Sequence, residues 1–316
     1  MSKSILNFFS DSDHVSYKPR LGSKIIVFGA SGQLGQSLQH IAAARNISNI
    51  TFLSEERANI LDKEVVARVF SEEMPAYVIN CAAYTAVDKA EDEIELARSI
   101  NRDGAANLAT ACRSHQSTLI HISTDFVFEG KNPHLLTETD PAKPLSIYGL
   151  TKLQGEAAIA GMIHKYFILR TSWLYSEYGN NFVKTMLRLG REREEVSVVC
   201  DQIGTPTYAI DLAETIFDII QSGSQEYGMY HYSNEGVASW YDFAKAVFEL
   251  SGTSVVLKPL KTSEYPSRTA RPAFSVMDKS KIKKTFSLEI PYWRDSVKEC
   301  VEKLMKEVNQ GENLSY

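Results

Sequence analysis

Hydrophobic and polar positions follow two alternating rhythms in the first half of the chain. Short apolar runs are followed by stretches in which apolar residues recur every three or four positions. Nearly continuous apolar runs are typical of strands buried on both faces, whereas the wider spacing is typical of amphipathic helices. The predicted strands are 25–28, 50–53, 77–81, 119–122 and 167–169, and the predicted helices between them include 33–45, 65–70 and 96–112.

A glycine-rich turn connects the first predicted strand to the first predicted helix. Its glycines are Gly29, Gly32 and Gly35, a wider spacing than in the tighter dinucleotide-binding fingerprint. Backbone N–H groups in such a turn, with the positive end of the following helix, can hold a pyrophosphate. Small residues at 82–83, after the third strand, would allow a cofactor to approach the same edge. These features predict a dinucleotide site, with a turn that serves packing alone as the alternative.

The strand–helix alternation predicts an α/β fold, a Rossmann-type doubly wound parallel sheet. Beyond Arg170 the rhythm becomes irregular, which predicts a smaller C-terminal α+β substrate domain that partly packs back on the first domain. Elements expected there include helices at 182–189 and 212–220, strands at 196–200 and 230–232, and a loop at 258–272. We expect a disordered N-terminal extension at 1–23, an NAD(P)-binding domain at 24–170 and the substrate domain at 171–316.

The residue that follows the second predicted strand bears on which dinucleotide binds. An acidic side chain at this point commonly holds the adenosine ribose hydroxyls. Here Leu53 is followed by Ser54, which would not repel a ribose phosphate. Glu55 or Glu56 could still take the acidic role, and Arg57 could meet a phosphate. The pattern favours NADPH and leaves NADH possible.

Composition limits the classes of function that need to be considered. The 316 residues carry a net charge of −5 without a basic stripe, which argues against nucleic acid as a partner. No apolar stretch approaches the length of a membrane span, so we expect no membrane partner. The four cysteines lack metal or disulfide spacing, which indicates a reducing compartment and predicts a cytoplasmic protein without a metal site. Cys81 and His121 are expected to be buried core side chains.

A tyrosine and a lysine four positions apart, Tyr148 and Lys152, follow a strand, a serine–threonine pair and a loop. On a helix this spacing puts the phenol and the ammonium on one face. The cation should lower the pKa of the phenol, about 10 when unperturbed, toward neutrality and make Tyr148 a usable acid. A second such pair, Tyr241 and Lys245, lies in an amphipathic segment and is expected to be structural. The first pair and the glycine turn together predict a reductase.

Ordered sequence blocks along most of the chain match a known pattern. They are GASGQLG at 29–35, NCAAYTAVDKAE at 80–91, STDFVF at 123–128, YGLTKLQGE at 148–156, RTSWLY at 170–175, GNNFVKTML at 179–187, DQIGTPT at 201–207, SWYDF at 239–243 and Arg271-Pro272. With these blocks the chain resembles the dTDP-4-dehydrorhamnose reductases, a family of the extended short-chain dehydrogenase/reductase superfamily, over about 24–306. The resemblance implies reduction of a 4-keto nucleotide sugar, the last step of dTDP-rhamnose synthesis for surface polysaccharide.

The resemblance also implies roles for individual residues. Thr124, Tyr148 and Lys152 would form the catalytic set, and Phe126 stands where a tyrosine is more usual. The residues expected to bind the cofactor are Gly29, Ser31, Gly32, Gln33, Leu34, Ser54, Asn59, Ile60, Ala82, Ala83, Tyr84, Tyr148 and Lys152. Those expected to bind the sugar nucleotide are Thr85, Val87, Phe126, Trp173, Gln202 and Arg271, the last two as candidates for the diphosphate.

Several alternatives stay open at this point. A reductase of another 4-keto-6-deoxy nucleotide sugar would share these residues. A regulatory subunit similar to the methionine adenosyltransferase β-subunit could also retain the cofactor-binding residues. Dehydration is not expected, because the similar 4,6-dehydratases place a glutamate where this chain has Phe126. Some family members are dimers bridged by a metal held by glutamates, but the corresponding position here is Ser37. We therefore expect no such metal site, and either a monomer or a homodimer.

Overall fold

The computed structural model describes residues 22–312, with side chains up to Lys306, so the expected extension at 1–23 lies almost entirely outside the described residues. The strands are β1 (Ile25–Phe28), β2 (Ile50–Leu53), β3 (Tyr77–Asn80), β4 (Thr118–Thr124), β5 (Tyr166–Thr171), β6 (Leu174–Tyr175), β7 (Glu195–Val199), β8 (Ile203–Gly204), β9 (Thr207–Tyr208), β10 (Gly228–His231), β11 (Ala238–Ser239) and β12 (Val256–Leu260). The helices are α1 (Gln33–Ala44), α2 (Lys63–Glu73), α3 (Val87–Ala90), α4 (Ile94–Arg98), α5 (Ala105–His115), α6 (Ile147–Met162), α7 (Phe182–Glu192), α8 (Ala209–Ser222), α9 (Trp240–Ser251), α10 (Ser280–Phe286) and α11 (Trp293–Glu312).

The main sheet has six strands in the order β10-β5-β4-β3-β1-β2, and all its neighbouring pairs are parallel. The strand order reverses between β1 and β3, the point at which doubly wound sheets bind ligands outside the carboxyl ends of their strands. The predicted fold class is therefore confirmed. The outermost strand β10 comes from the second half of the chain, which the sequence pattern placed in the substrate domain. The domain boundary at residue 170 stays a prediction.

Both faces of the sheet are covered, because successive side chains of a strand point to opposite sides. On β1, Ile25 and Val27 belong to a core cluster with apolar residues of α1 and α8. Ile26 and Phe28 belong to a second cluster with α2 and α5. This two-sided burial explains why the strands are continuously apolar in sequence. Among residues 22–312, no helix is long and apolar enough to span a bilayer.

The helix predicted at 96–112 is divided into three parts. A π-helical segment, Ser99–Gly104, lies between α4 and α5. Within it the buried Asn101 accepts a hydrogen bond from the backbone N–H of Tyr84 at 2.9 Å and donates one to the hydroxyl of Thr151 on α6 at 3.1 Å. The widened turn thus ties the loop after β3 to α6, a tertiary requirement that apolar periodicity does not register.

Part of the loop predicted at 258–272 is a strand. β12 pairs in parallel with β7 in a separate two-stranded sheet. Its exposed edge position explains the error, because Lys258 and Pro259 are typical of loops and are also tolerated on strands that lie at an edge.

A buried ion pair fixes α6 against the sheet. Arg170 on β5 donates to both oxygens of Glu156 on α6, at 2.9 and 2.6 Å, and the hydroxyl of Ser123 on β4 donates to the same carboxylate at 2.5 Å. The side chains of Arg170 and Glu156 are only 4% and 2% exposed. Such a pair is costly to break, because the remaining partner keeps a buried charge without compensation.

We predict that Glu156→Gln lowers the free energy of unfolding by about 3–5 kcal/mol, since Arg170 then stays buried without a counter-charge. Urea denaturation measures the change. The matched control is Glu192→Gln in the exposed pair Arg188–Glu192 on α7, for which a loss of about 0.5 kcal/mol or less is expected. Equal losses in the two variants would contradict the role given to the buried pair.

Candidate active site

A close backbone approach between β1 and β3 forms the first part of the site. Gly29, directly after β1, has a φ of +76°, and a side chain there would place its Cβ 2.5 Å from the backbone nitrogen of Ala82. A Cβ on Gly35 would lie 2.5 Å from the carbonyl oxygen of Gly29. Gly32 caps α1 without a side-chain hydrogen bond, so its first backbone N–H groups remain available. The turn therefore has the shape and polarity of an anion cradle.

A cavity of about 180 Å³ opens at this cradle. Its lining includes seven of the residues predicted to bind a cofactor: Gly29, Ser31, Gly32, Asn59, Ile60, Ala82 and Ala83. The lining also contains Glu55, the alternative acidic residue after the second strand, and three residues that were not predicted: Ala58, Cys81 and Ile100. Glu55 puts a carboxylate into the wall at the end of β2, the position at which the sequence left Glu55 and Glu56 open for the acidic role beside Ser54. Arg57, the alternative phosphate partner, is exposed and outside this lining.

Several predicted cofactor residues make contacts elsewhere. The side chain of Gln33 bridges to the second half of the chain, donating to the carbonyl of Leu174 at 3.2 Å and accepting from Asn181 at 2.8 Å. Leu34 is buried in the core, and Ser54 donates to Glu56 at 3.3 Å. Tyr84 donates its hydroxyl to Glu93 at 2.7 Å. Cofactor contacts of these four residues stay a prediction.

The predicted catalytic residues meet at the carboxyl edge of the sheet. Thr124 ends β4, and Tyr148 and Lys152 lie one turn apart on α6. Ser146 caps α6 by accepting a hydrogen bond from the backbone N–H of Gly149 at 3.1 Å. The phenol ring of Tyr148 also packs edge-on against Phe126, with ring centroids 5.5 Å apart. The helix start therefore positions Tyr148 beside the segment that follows Thr124.

The electrostatics of Tyr148 differ from the expectation. Burial raises its pKa to about 12; contact with Thr124 lowers it in part, and the carboxylate of Asp125 raises it. Lys152, expected to lower this pKa, instead donates to the backbone carbonyl of Ile122 at 2.6 Å. The prediction that the protein's own lysine brings the phenol toward neutrality was therefore wrong. Tyr148 is a protonated phenol at neutral pH, the form that a proton donor needs.

Two buried groups around the tyrosine also have shifted pKa values. Burial lowers the pKa of Lys152 to about 8, whereas Glu156 and Cys81 favour its charged form. Burial raises the pKa of Asp125 to about 6. The hydroxyl of Thr124 donates to Oδ1 of Asp125 at 3.2 Å and accepts from the backbone N–H of Phe126 at 3.2 Å. Clusters of shifted groups at the carboxyl edge of a sheet are typical of active sites.

A second cavity, of about 440 Å³, lies in the C-terminal half. Its lining combines apolar residues of α7 and β7 with Gln202, Trp240, Tyr265 and Arg271. Trp240 stacks on Trp173, with ring centroids 3.7 Å apart. Trp173 in turn packs over Gly204, where a Cβ would lie 2.7 Å from its indole ring. Of the predicted substrate residues, Gln202 and Arg271 thus line this cavity, and Trp173 adjoins it.

The remaining predicted substrate residues lie near a polar bridge between the two halves. Arg271 donates to Asp88 on α3 at 2.9 Å. Val87, the first residue of α3, is half-buried, and Thr85 is exposed in the loop before it. The bridge brings the loop after β3 next to the second cavity, although a sugar contact for Thr85 or Val87 stays a prediction. Gln202 donates to the hydroxyl of Thr262 at 3.1 Å.

A family model described as the RmlD substrate binding domain matches residues 23–306. The chain belongs to this family. It is 39% identical to a dTDP-4-dehydrorhamnose reductase of Aggregatibacter actinomycetemcomitans, over 87% of this chain and 97% of that protein, and 38% identical to one of Escherichia coli, over 89% and 97%. A crystal structure of a dTDP-4-dehydrorhamnose reductase from Bacillus anthracis in complex with NADP has a TM-score of 0.85 and 41% identity, over 89% of this chain and 99% of that one.

The second tyrosine–lysine pair has the surroundings expected of a structural pair in this RmlD family member. On α9, Phe243, Ala244 and Val247 face the core. Lys245 is exposed on the opposite face, 3.8 Å from Glu249. Neither Tyr241 nor Lys245 is among the residues that line the cofactor cavity or the second cavity. Ser37, the position at which the resemblance implied a metal-binding glutamate in some members, is buried and donates to the backbone carbonyl of Gln33 at 3.0 Å.

Sequence reasoning missed residues whose roles depend on contacts distant in the chain. His121 is buried as expected, and its ring nitrogen Nε2 lies 3.4 Å from the amine of Lys152, a neighbour that the sequence did not indicate. Cys81 lines the first cavity, and burial raises the pKa of its thiol to about 12. Trp240 and Tyr265 belong to the second cavity. For Trp240 alone a signal existed, the family block at 239–243.

We predict that Gly29→Ala abolishes NADPH binding and destabilises the fold, because the new Cβ meets the backbone of Ala82 and φ is positive. The control is Gly161→Ala on α6, where no atom lies within 4 Å of the added Cβ and a gain of up to about 1 kcal/mol is expected. NADPH fluorescence titration and urea denaturation measure the two effects. Normal NADPH affinity in Gly29→Ala would contradict the assignment of the cradle.

Proposed function

We propose that this protein is an NADPH-dependent reductase that converts dTDP-4-dehydro-L-rhamnose to dTDP-L-rhamnose. The observation that carries the proposal is the meeting of Thr124, Tyr148 and Lys152 at the sheet edge beside the cofactor cavity, in a member of the RmlD family. The curated relatives named dTDP-4-dehydrorhamnose reductase support this substrate.

The cradle after β1 fits the pyrophosphate of a dinucleotide. Gly29 and Gly32 carry no side chain that would fill it, and the N-terminus of α1 offers uncapped N–H groups. Asn59, Ile60, Ala82 and Ala83 would line the adenosine and pyrophosphate path. The complex of the B. anthracis relative with NADP supports NADPH. Glu55 in the same wall could also hold an unphosphorylated ribose, so NADH is retained as a second cofactor.

When bound, NADPH supplies the hydride for the C4 carbonyl carbon of the sugar. Tyr148 donates its phenolic proton to the carbonyl oxygen, which becomes the C4 hydroxyl, and the tyrosine is left as phenolate. Its high pKa supports this role because the proton is held until an alkoxide, a stronger base, develops. The hydroxyl of Thr124 gives up Asp125 as its acceptor and donates to the same oxygen. Lys152 holds the nicotinamide ribose.

The second cavity is the proposed site of the nucleotide and diphosphate. Trp240, which stacks on Trp173, offers an apolar ring in the lining, and Gln202 and Arg271 offer polar groups that can meet phosphate oxygens. Arg271 would exchange Asp88 for the diphosphate, since both are anionic partners of one guanidinium. Thr85, Val87 and Phe126 would then surround the deoxyhexose between the two cavities. Phe126 contributes only its ring face there, because it lacks the hydroxyl that is more usual at this position.

The direct test is oxidation of NADPH, followed by absorbance, with dTDP-4-dehydro-L-rhamnose made in situ by a dehydratase and an epimerase. We expect stoichiometric oxidation with dTDP-L-rhamnose as the product by NMR. A product epimeric at C4, or turnover only of another 4-keto-6-deoxy nucleotide sugar, would replace the substrate named here. Cofactor binding without turnover of any keto sugar, together with a stoichiometric enzyme partner, would support the regulatory-subunit alternative.

We predict that Tyr148→Phe lowers kcat at least about 100-fold, the contribution usual for a general acid, and leaves NADPH affinity nearly unchanged. Only the proton donor is lost, and the ring that packs against Phe126 remains. The control is Tyr241→Phe in the pair on α9, which should retain normal turnover. Near-normal kcat in Tyr148→Phe would rule out Tyr148 as the acid.

The place of action and the oligomeric state are further parts of the proposal. All four cysteines are free thiols, which supports a reducing compartment such as the cytoplasm. No group of three or more His, Cys, Asp or Glu side chains within the described residues is arranged to hold a metal ion. We retain a monomer or a metal-independent homodimer; light scattering with and without a chelator separates these forms from a metal-bridged dimer.

A further inference from the structure

Three buried polar side chains form a row that leads from the sheet to the catalytic lysine. Asn80 ends β3, His121 lies beside it on β4, and Lys152 follows on α6; they are exposed by only 1%, 1% and 2%. Nδ2 of Asn80 is 3.0 Å from Nδ1 of His121, and Nε2 of His121 is 3.4 Å from Nζ of Lys152. Each of these contacts needs one donor and one acceptor.

The backbone of Ala82 determines the direction of the row. A backbone N–H can only donate, and that of Ala82 donates to Oδ1 of Asn80 at 3.0 Å. The amide nitrogen of Asn80 therefore faces His121 and donates to its Nδ1. Burial, and then the charge of Lys152, hold the pKa of His121 well below its ordinary value, so the imidazole is neutral. A neutral imidazole that accepts at Nδ1 carries its proton on Nε2.

The Nε2–H group of His121 consequently points at Lys152. An ammonium group has no lone pair, so two donors would face each other and one buried N–H would lack an acceptor. A neutral amine satisfies both of its contacts, since it can donate to the carbonyl of Ile122 at 2.6 Å and accept from His121. Of the two contacts of the lysine amine, the contact with His121 is the longer, at 3.4 Å, and it is the contact that disfavours the ammonium form.

We propose that His121 is a positioning residue whose Nε2–H, directed by Asn80 and the backbone of Ala82, hydrogen-bonds the neutral amine of Lys152 and opposes its protonation. Glu156 on the same helix and Cys81 after β3 act in the opposite direction, and Tyr148 lies one turn before the lysine. The balance puts loss of the lysine charge near pH 8 as the pH rises. The catalytic meaning of this control rests on the proposed function, in which Lys152 acts beside the nicotinamide ribose.

The first test determines the tautomer in the native protein. Long-range ¹H–¹⁵N NMR of histidine-labelled, cofactor-free protein at pH 7 distinguishes the two ring nitrogens, and His121→Gln assigns the signal. We expect His121 to be neutral, with its proton on Nε2. A proton on Nδ1, or a doubly protonated ring, would overturn the proposal without any need for a variant of Asn80.

The second test reverses the row with Asn80→Asp. A carboxylate accepts both from Ala82 and from Nδ1–H of His121, which moves the imidazole proton to Nδ1 and leaves Nε2 as an acceptor for an ammonium. With ¹³C-labelled lysine, assigned by Lys152→Met, the titration midpoint of Lys152 should rise by about one pH unit or more. The exposed Lys245 is the internal control, because neither Asn80→Asp nor the shift of the His121 proton should change its titration midpoint.

The readouts separate the possible failures. An unchanged midpoint in a variant whose tautomer has moved would overturn the proposal. A raised midpoint with the tautomer unchanged would mean that the new charge acts directly, which also overturns the role of His121. Neither measurement uses turnover, so absence of reductase activity alongside the expected NMR results would refute the proposed function and leave the link between His121 and Lys152 in place.

Discussion

The position of α6 against the sheet depends on the buried pair between Glu156 and Arg170. The carboxylate of Glu156 also accepts a hydrogen bond from the hydroxyl of Ser123, so this one anion joins α6, β4 and β5. Ser123 immediately precedes Thr124, and Glu156 lies one turn beyond Lys152. The contact that anchors the helix therefore fixes the distance between the strand that ends in Thr124 and the helix that carries Tyr148 and Lys152. A bidentate guanidinium–carboxylate pair suits this purpose because it restricts orientation as well as distance.

Glycines allow the helix to approach as closely as this pair requires. A side chain on Gly149 would collide with the backbone carbonyl of Phe126, and one on Gly155 with that of Asn101. The first contact holds Tyr148 beside the segment after Thr124. The second holds α6 against the π-helical segment, whose Asn101 also binds the backbone of Tyr84. The loop after β3, the segment after β4 and the start of α6 are thus packed as one unit around the catalytic residues.

The parts of this arrangement that were predictable are those encoded by neighbouring residues. The strands of the first half, the glycine cradle and the Tyr148–Lys152 spacing all leave a local pattern. The addition of β10 to the main sheet and the π-helical segment depend on contacts between distant residues, which leave no local pattern. His121 is the clearest example: burial was predictable from its strand, but its neighbour Lys152 is brought to it only by the packing of α6.

The same packing explains why the pKa of Tyr148 is raised when a nearby lysine was expected to lower it. Proximity in a helix turn favours the phenolate only if the ammonium faces the phenol, and Lys152 is turned to the carbonyl of Ile122. Burial then dominates both groups, and in each case it favours the neutral form: a phenol that retains its proton and an amine that resists gaining one. In such a site the proton donor, Tyr148, carries no charge before the reaction. A negative charge forms next to Lys152 only when Tyr148 gives up its proton. Protonation of Lys152 would stabilise that charge, and this protonation is opposed by His121 and favoured by Glu156.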